Sequence, residues 1–77
     1  MTEEQWTSLI SKNLVGRTIT KVEYLPIEEM EDAGWYKRPI AIGLDSGHWI
    51  VPIMDDEGND GGAMSTTFKN LSTIPVI

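Results

Sequence analysis

Ile40-Ala41-Ile42-Gly43-Leu44-Asp45-Ser46-Gly47-His48-Trp49-Ile50-Val51-Pro52-Ile53-Met54 is the stretch that decides the fold. Ile40, Ile42 and Leu44 alternate with Ala41 and Gly43, the period of two that lines one face of a strand with apolar side chains. Asp45-Ser46-Gly47 are turn formers, and an aromatic and β-branched run follows them, so the stretch predicts a β-hairpin. Pro52 has no backbone N–H to give to a ladder, so there its strand must face an edge or a bulge.

Working upstream, residues 17–25, Arg-Thr-Ile-Thr-Lys-Val-Glu-Tyr-Leu, are rich in β-branched and aromatic side chains and predict a half-buried strand. Ile19 belongs to one parity and Val22 and Tyr24 to the other. A bulge near Thr20 or Lys21 would turn all three toward the core and curve the sheet. Between this strand and the hairpin, Pro26 opens an acidic connection, Glu28-Glu29-Met30-Glu31-Asp32-Ala33-Gly34. It lacks strand patterning and is expected to be the main irregular loop. At the start of the chain Thr2 and Gln5 match a capping box, with Glu3 and Glu4 in the first turn where the helix dipole favours negative charge. Trp6, Leu9, Ile10 and Leu14 recur at near-helical spacing, Lys12 sits toward the far end, and Asn13 and Gly16 offer a stop. A helix over about residues 3–13 is predicted, with a β-barrel over about 17–77, in a single domain spanning 1–77.

Downstream of the hairpin, residues 55–62, Asp-Asp-Glu-Gly-Asn-Asp-Gly-Gly, predict a solvent-exposed turn in which no strand survives. Ala63 to Phe68 form a further strand, Lys69 to Ser72 a tight or 3₁₀ turn, and Thr73 to Ile77 a last strand. The apolar Ile77 is expected to be docked.

Composition narrows the function. Twelve Asp and Glu against six Lys and Arg give a charge of −6, which repels phosphate backbones and anionic lipid alike. Neither nucleic acid nor membrane is therefore an expected partner. Hydrophobic residues make up 40% of the 77, enough for a packed domain and too many for a disordered acidic tail. There is no cysteine, so neither a disulfide nor a thiolate-held metal supports the core, and cytoplasmic residence is expected. Oligomerisation is the remaining source of support for so small a core. Met1-Thr2-Glu3-Glu4 has the wrong charge for a secretory signal and reads as a native start.

Several side-chain groups could carry function. Asp56, Glu57, Asn59 and Asp60 offer oxygen ligands on a flexible turn, as calcium requires. An EF-hand count from Asp55 puts Asp60 where glycine is needed and Thr66 at the closing position; a count from Asp56 puts Gly58 at the second ligand position and Thr67 at the closing one. No metal and no cofactor is therefore expected, and no catalytic residue is assigned. Asp45-Ser46-Gly47 after Ile42-Gly43-Leu44 resembles the catalytic triplet of aspartic proteases, whose retroviral members form a barrel-like homodimer with one aspartate from each chain. Here His48 follows the triplet in place of a small residue, and no later apolar-apolar-glycine segment appears. His48 is the sole histidine. Its nearest nucleophile, Ser46, shares its turn, and a third orienting group is missing, so it reads as a strand-end residue. Trp35-Tyr36-Lys37-Arg38 sets stacking surfaces beside cations, a combination suited to a peptide or single-stranded nucleic acid.

The order of short strands, the suspected bulge and the tight turn before the last strand resemble a Src-homology-3-like barrel. Glu28 to Asp32 next to Trp35 resembles the acidic and aromatic groove with which Src-homology-type domains hold proline-rich, basic peptides, although the Ala-Leu-Tyr-Asp-Tyr signature is absent. Val15-Gly16-Arg17-Thr18-Ile19, Arg38-Pro39-Ile40 and residues 56–62 together resemble small uncharacterised proteins of bacteria and phages, a lineage that supplies no site residues. The expected fold is thus mainly β within the α+β class: a short amino-terminal helix followed by a small antiparallel Src-homology-3-like barrel or strongly curled sheet. A helix packed on an open antiparallel sheet is the alternative. The expected role is a non-enzymatic protein-interaction or assembly module. Its surface would be Trp35, Tyr36, Lys37 and Arg38 with Asp56, Glu57, Asn59 and Asp60, and its partner itself or another protein. The alternative is an aspartate-dependent hydrolase or a divalent-metal-binding protein acting as a dimer.

Overall fold

The computed structural model describes residues 1–34, 36–54 and 61–77. In chain order they form α1 (Glu3–Leu14), β1 (Ile19–Tyr24), α2 (Ile27–Asp32), β2 (Ile40–Leu44), β3 (Trp49–Met54), β4 (Gly61–Phe68) and β5 (Leu71–Ile74). The strands make one antiparallel meander in the order β1-β2-β3-β4-β5. The two outer strands lie at opposite edges, so the sheet is open, and the architecture is the alternative of a helix on an open antiparallel sheet.

The capping box forms as its spacing requires. Gln5 N–H donates to Thr2 Oγ1 at 3.1 Å and Thr2 N–H to Gln5 Oε1 at 2.8 Å, satisfying two of the donors a helix start leaves open. Trp6, Leu9, Ile10 and Leu14 of α1 then pack on Leu44, Phe68, Leu71 and Ile74, joined by Ile42, Ile50 and Met64. The core therefore lies between α1 and one face of β2 to β5.

The hairpin is built as its residues dictate. Gly47 N–H donates to Leu44 C=O and Leu44 N–H to His48 C=O, each at 2.9 Å. Gly47 sits at φ 84°, the left-handed conformation that glycine reaches without steric cost. Pro52 is accommodated because the β2–β3 ladder runs only through Gly43↔Trp49 and Ile42↔Ile50. The side on which Pro52 lacks its N–H is the side that β2 has already left.

The bulge falls between Ile19 and Lys21, with Ile19↔Leu44 followed by Lys21↔Gly43. It brings Ile19, Val22 and Tyr24 to the face that carries the core. They are nevertheless uncovered, at 59%, 56% and 63% exposure, because α1 docks toward β5 and stops short of β1. The expectation that this strand is half-buried is corrected accordingly. A second register shift, between Ser65 and Phe68, lets both Leu71 and Ile74 enter the core. Thr66 Oγ1 spans it, donating to Leu71 C=O and accepting from Phe68 N–H at 3.1 Å.

Other expectations also shift. Residues 27–32 are helical, not irregular: Glu28 and Glu29 occupy the first turn, where the dipole favours them, and Gly34 at φ 76° follows the end. β4 begins at Gly61, inside the stretch expected to exclude strand, with Gly62 at φ 109° beside a register shift at Ile53 and Met54. β5 begins at Leu71 and ends at Ile74, and Ile77 is 81% exposed rather than docked. Among the described residues no helix is long and apolar enough to cross a membrane.

Candidate functional site

The main-chain hydrogen bonds of β1 define an unused edge. Leu44 N–H bonds across to His48 C=O, on the residue before β3, so the backbone groups of Leu44 and Ile42 point to the β3 side and those of Gly43 and Ala41 point to β1. Their partners in β1 are Lys21 and Glu23, and Leu25 N–H continues this set by donating to Pro39 C=O at 2.9 Å. By alternation, the N–H and C=O groups of Val22 and Tyr24 point away from the sheet, where no described residue pairs with them.

Side chains alternate along the same edge. Val22 and Tyr24 extend toward the helix-bearing face, and Lys21 and Glu23 toward the other, where Lys21 Nζ stands 3.5 Å from Glu23 Oε2 and 6.0 Å from the centre of the Trp49 ring. The apolar strip continues past Tyr24 into a shallow recess of about 420 Å³ lined by Tyr24, Ile27, Met30, Tyr36, Lys37 and Arg38. Tyr36 is 97% exposed. Of the surface expected from the sequence, Tyr36, Lys37 and Arg38 thus adjoin the β1 edge. Trp35, Asp56, Glu57, Asn59 and Asp60 lie outside the described residues, as do the candidate calcium ligands.

The opposite face of the sheet carries a groove of about 400 Å³ with Trp49, Val51 and Leu25 in its lining and the carboxylates of Glu23 and Glu29 beside them. Trp49 lies across Gly43, whose absent Cβ would come within 3.1 Å of the ring. Its own N–H donates to Thr67 Oγ1 at 2.9 Å, fixing the strand beneath it. Trp49 and Glu29, residues 20 apart in sequence, thus meet on this face, while Trp35, around which an acidic and aromatic pairing was expected, lies outside the described residues.

Asp45, Ser46 and His48 share the turn between β2 and β3. Asp45 N–H donates to Thr18 C=O at 2.9 Å, and its carboxylate stands 3.7 Å from Arg17 Nε, so it ties the hairpin turn to the segment before β1. His48 Nδ1 is 3.0 Å from Ser46 Oγ, and its ring stacks on Phe68 with centroids 4.3 Å apart. Among the described residues no three His, Asp or Glu side chains converge as a metal site would require. The sequence reading missed Lys21, Val22, Glu23 and Tyr24 as a surface. Their signal was there in the alternation of opposite charges with apolar residues, read only as a half-buried strand. Against known proteins, no family model, no curated protein and no solved structure matches this chain.

Proposed function

We propose that this chain is a non-enzymatic assembly module that pairs with a second copy of itself along the open edge of β1. The observation that carries the proposal is the self-complementarity of that edge. An antiparallel copy related by a two-fold axis through Val22 sets Lys21 opposite Glu23 of the partner subunit and the reverse, so both charge pairs are attractive. Val22 meets its own equivalent, and the unpaired backbone groups of Val22 and Tyr24 gain partners. The same pairing sets the two exposed apolar strips side by side on one face of the joined sheet.

Sedimentation of the wild type and two variants tests this. Wild type should show a concentration-dependent dimer. K21E, which sets like charges across the axis, should shift it to monomer, and the double swap K21E/E23K should restore the dimer. A wild type that stays monomeric at millimolar concentration, or a double swap that fails to rescue, would overturn the proposal.

A second reading rests on the Trp49 groove, whose carboxylates and apolar lining suit a basic, apolar-bearing protein segment. Titration with a short Lys- and Pro-containing peptide, followed through quenching of indole emission that W49F abolishes, checks it. The proposal extends to lineage and setting. The amino-terminal helix followed by five antiparallel strands, the bulges and the tight β4–β5 turn support kinship with Src-homology-3-like barrels of small bacterial and phage proteins, with α2 inserted between β1 and β2. The lack of cysteine supports a cytoplasmic setting.

A further inference from the structure

Three of the six cations of this acidic chain meet at one end of the sheet. Lys12 comes from the last turn of α1, Arg17 from the segment before β1, and Lys69 from the β4–β5 turn. With Asn13, Ser46, His48, Thr67, Phe68 and Asn70 they line a recess of about 480 Å³, in which no carboxylate takes part. That volume falls within the range of small-molecule sites. We infer that the recess binds a phosphate-bearing small molecule, with Lys12, Arg17 and Lys69 neutralising the phosphate, Ser46 and Asn70 donating to its oxygens, and the His48 ring forming an apolar wall.

Two features oppose an anion here, and both are tempered. Asp45 faces Arg17, but through a single contact of 3.7 Å between groups about 40% exposed, long for a charge-assisted bond and weak in water. The carboxyl end of α1 carries negative partial charge. Two of its last four carbonyls are occupied, however: Ser11 C=O accepts from Val15 N–H and Leu14 C=O from Arg17 N–H. The stacking of His48 on buried Phe68, with Nδ1 held by Ser46, fixes the imidazole as part of the wall. A small ligand is favoured over a polyanion because the cations form one cluster and the rest of the chain is strongly negative, which repels a phosphate chain extending beyond the recess. The site is independent of the β1 edge and of any association through it.

Amide chemical shifts of the full chain, titrated at low salt with inorganic phosphate and with a nucleoside monophosphate, test the inference. Both probes should produce saturable shifts at Ser46, His48, Lys69 and Asn70. The double variant K12A/K69A should weaken binding roughly tenfold or more, as loss of charged hydrogen bonds implies, while K37A/R38A, which removes the same charge from a different recess, should leave it unchanged. Retained shift dispersion shows that each variant is folded. The inference is overturned by the absence of saturable shifts at millimolar phosphate, by equal weakening in both double variants, or by an acidic peptide or an oligonucleotide saturating the recess where phosphate does not.

Discussion

At the scale of single residues, the contact between Gly43 and Trp49 shows how one missing methyl group shapes a surface. The indole lies where a Cβ on residue 43 would approach Cη2 at 3.1 Å and Cζ3 at 3.2 Å, tighter than ring and methyl tolerate. Because Trp49 pairs with Gly43 across β2 and β3, its ring must rotate about its side-chain bonds to make room for a larger residue there. Gly43→Val should therefore cost about 1–3 kcal/mol by overpacking and tip the indole off the sheet. Gly61→Ala, at a position with open space around it, should change stability by less than about 1 kcal/mol. Urea midpoints followed by far-ultraviolet circular dichroism compare the two. Equal losses would mean that the ring is mobile enough to yield. The glycine was legible in the sequence only as a small residue in an alternating strand, because what it accommodates is a cross-strand neighbour six positions away.

At the scale of elements, local signals and long-range packing contribute unequally. α1 begins at its capping box and presents Trp6, Leu9, Ile10 and Leu14 to the sheet, yet none of its residues is buried. Its docking is therefore shallow, and its start is worth a sizeable share of its stability. Thr2→Ala should lower the unfolding free energy by about 1 kcal/mol, measured by denaturant titration. In the core of β4 and β5, Leu71 is 3% exposed, and Leu71→Ala should remove about 2–5 kcal/mol, comparable to all the stability a core this small supplies. A matched change at Val22 on β1 should stay within about 0.5 kcal/mol for the isolated chain. The hairpin, the helix and the bulge were readable because each is written in neighbouring residues. α2 was not, because six residues span less than two turns and cannot display a helical period. The failure to bury β1 was equally hidden. Whether a strand of the right composition is covered depends on where α1 lands, and that is decided by Leu71, Ile74 and Phe68 at the other end of the chain. The candidate sites follow the same division: Tyr36, Lys37 and Arg38 are adjacent in sequence and were noticed, whereas Lys12 and Arg17, five residues apart, meet Lys69 only because α1 packs against β5.

At the scale of the whole molecule, a sheet on which only α1 packs across the core face leaves too much surface for a chain of this size. The accessible area is 5613 Å², against about 4,700 Å² for a compact monomer of this mass. The radius of gyration is 12.9 Å against about 11.5 Å for a compact chain of this length. The principal extents of 34, 31 and 17 Å describe a slab whose broad faces are incompletely covered. An excess of this order is close to what one partner contributes to a standard interface, roughly 800 Å². Backbone hydrogen exchange turns the argument into a residue-by-residue measurement. In dilute solution the amides of Lys21, Glu23 and Leu25, which point to β2, should exchange slowly, while those of Val22 and Tyr24, which point outward, should exchange at nearly unprotected rates. Pairing of two β1 edges would satisfy the outward set and leave the inward set as it was. Raising the protein concentration should therefore slow Val22 and Tyr24 selectively, and K21E should abolish that slowing without changing the inward amides. If all five amides respond together, the effect is a change in global stability by mass action; if Val22 and Tyr24 stay fast at every concentration, the edge is not where copies of this chain meet.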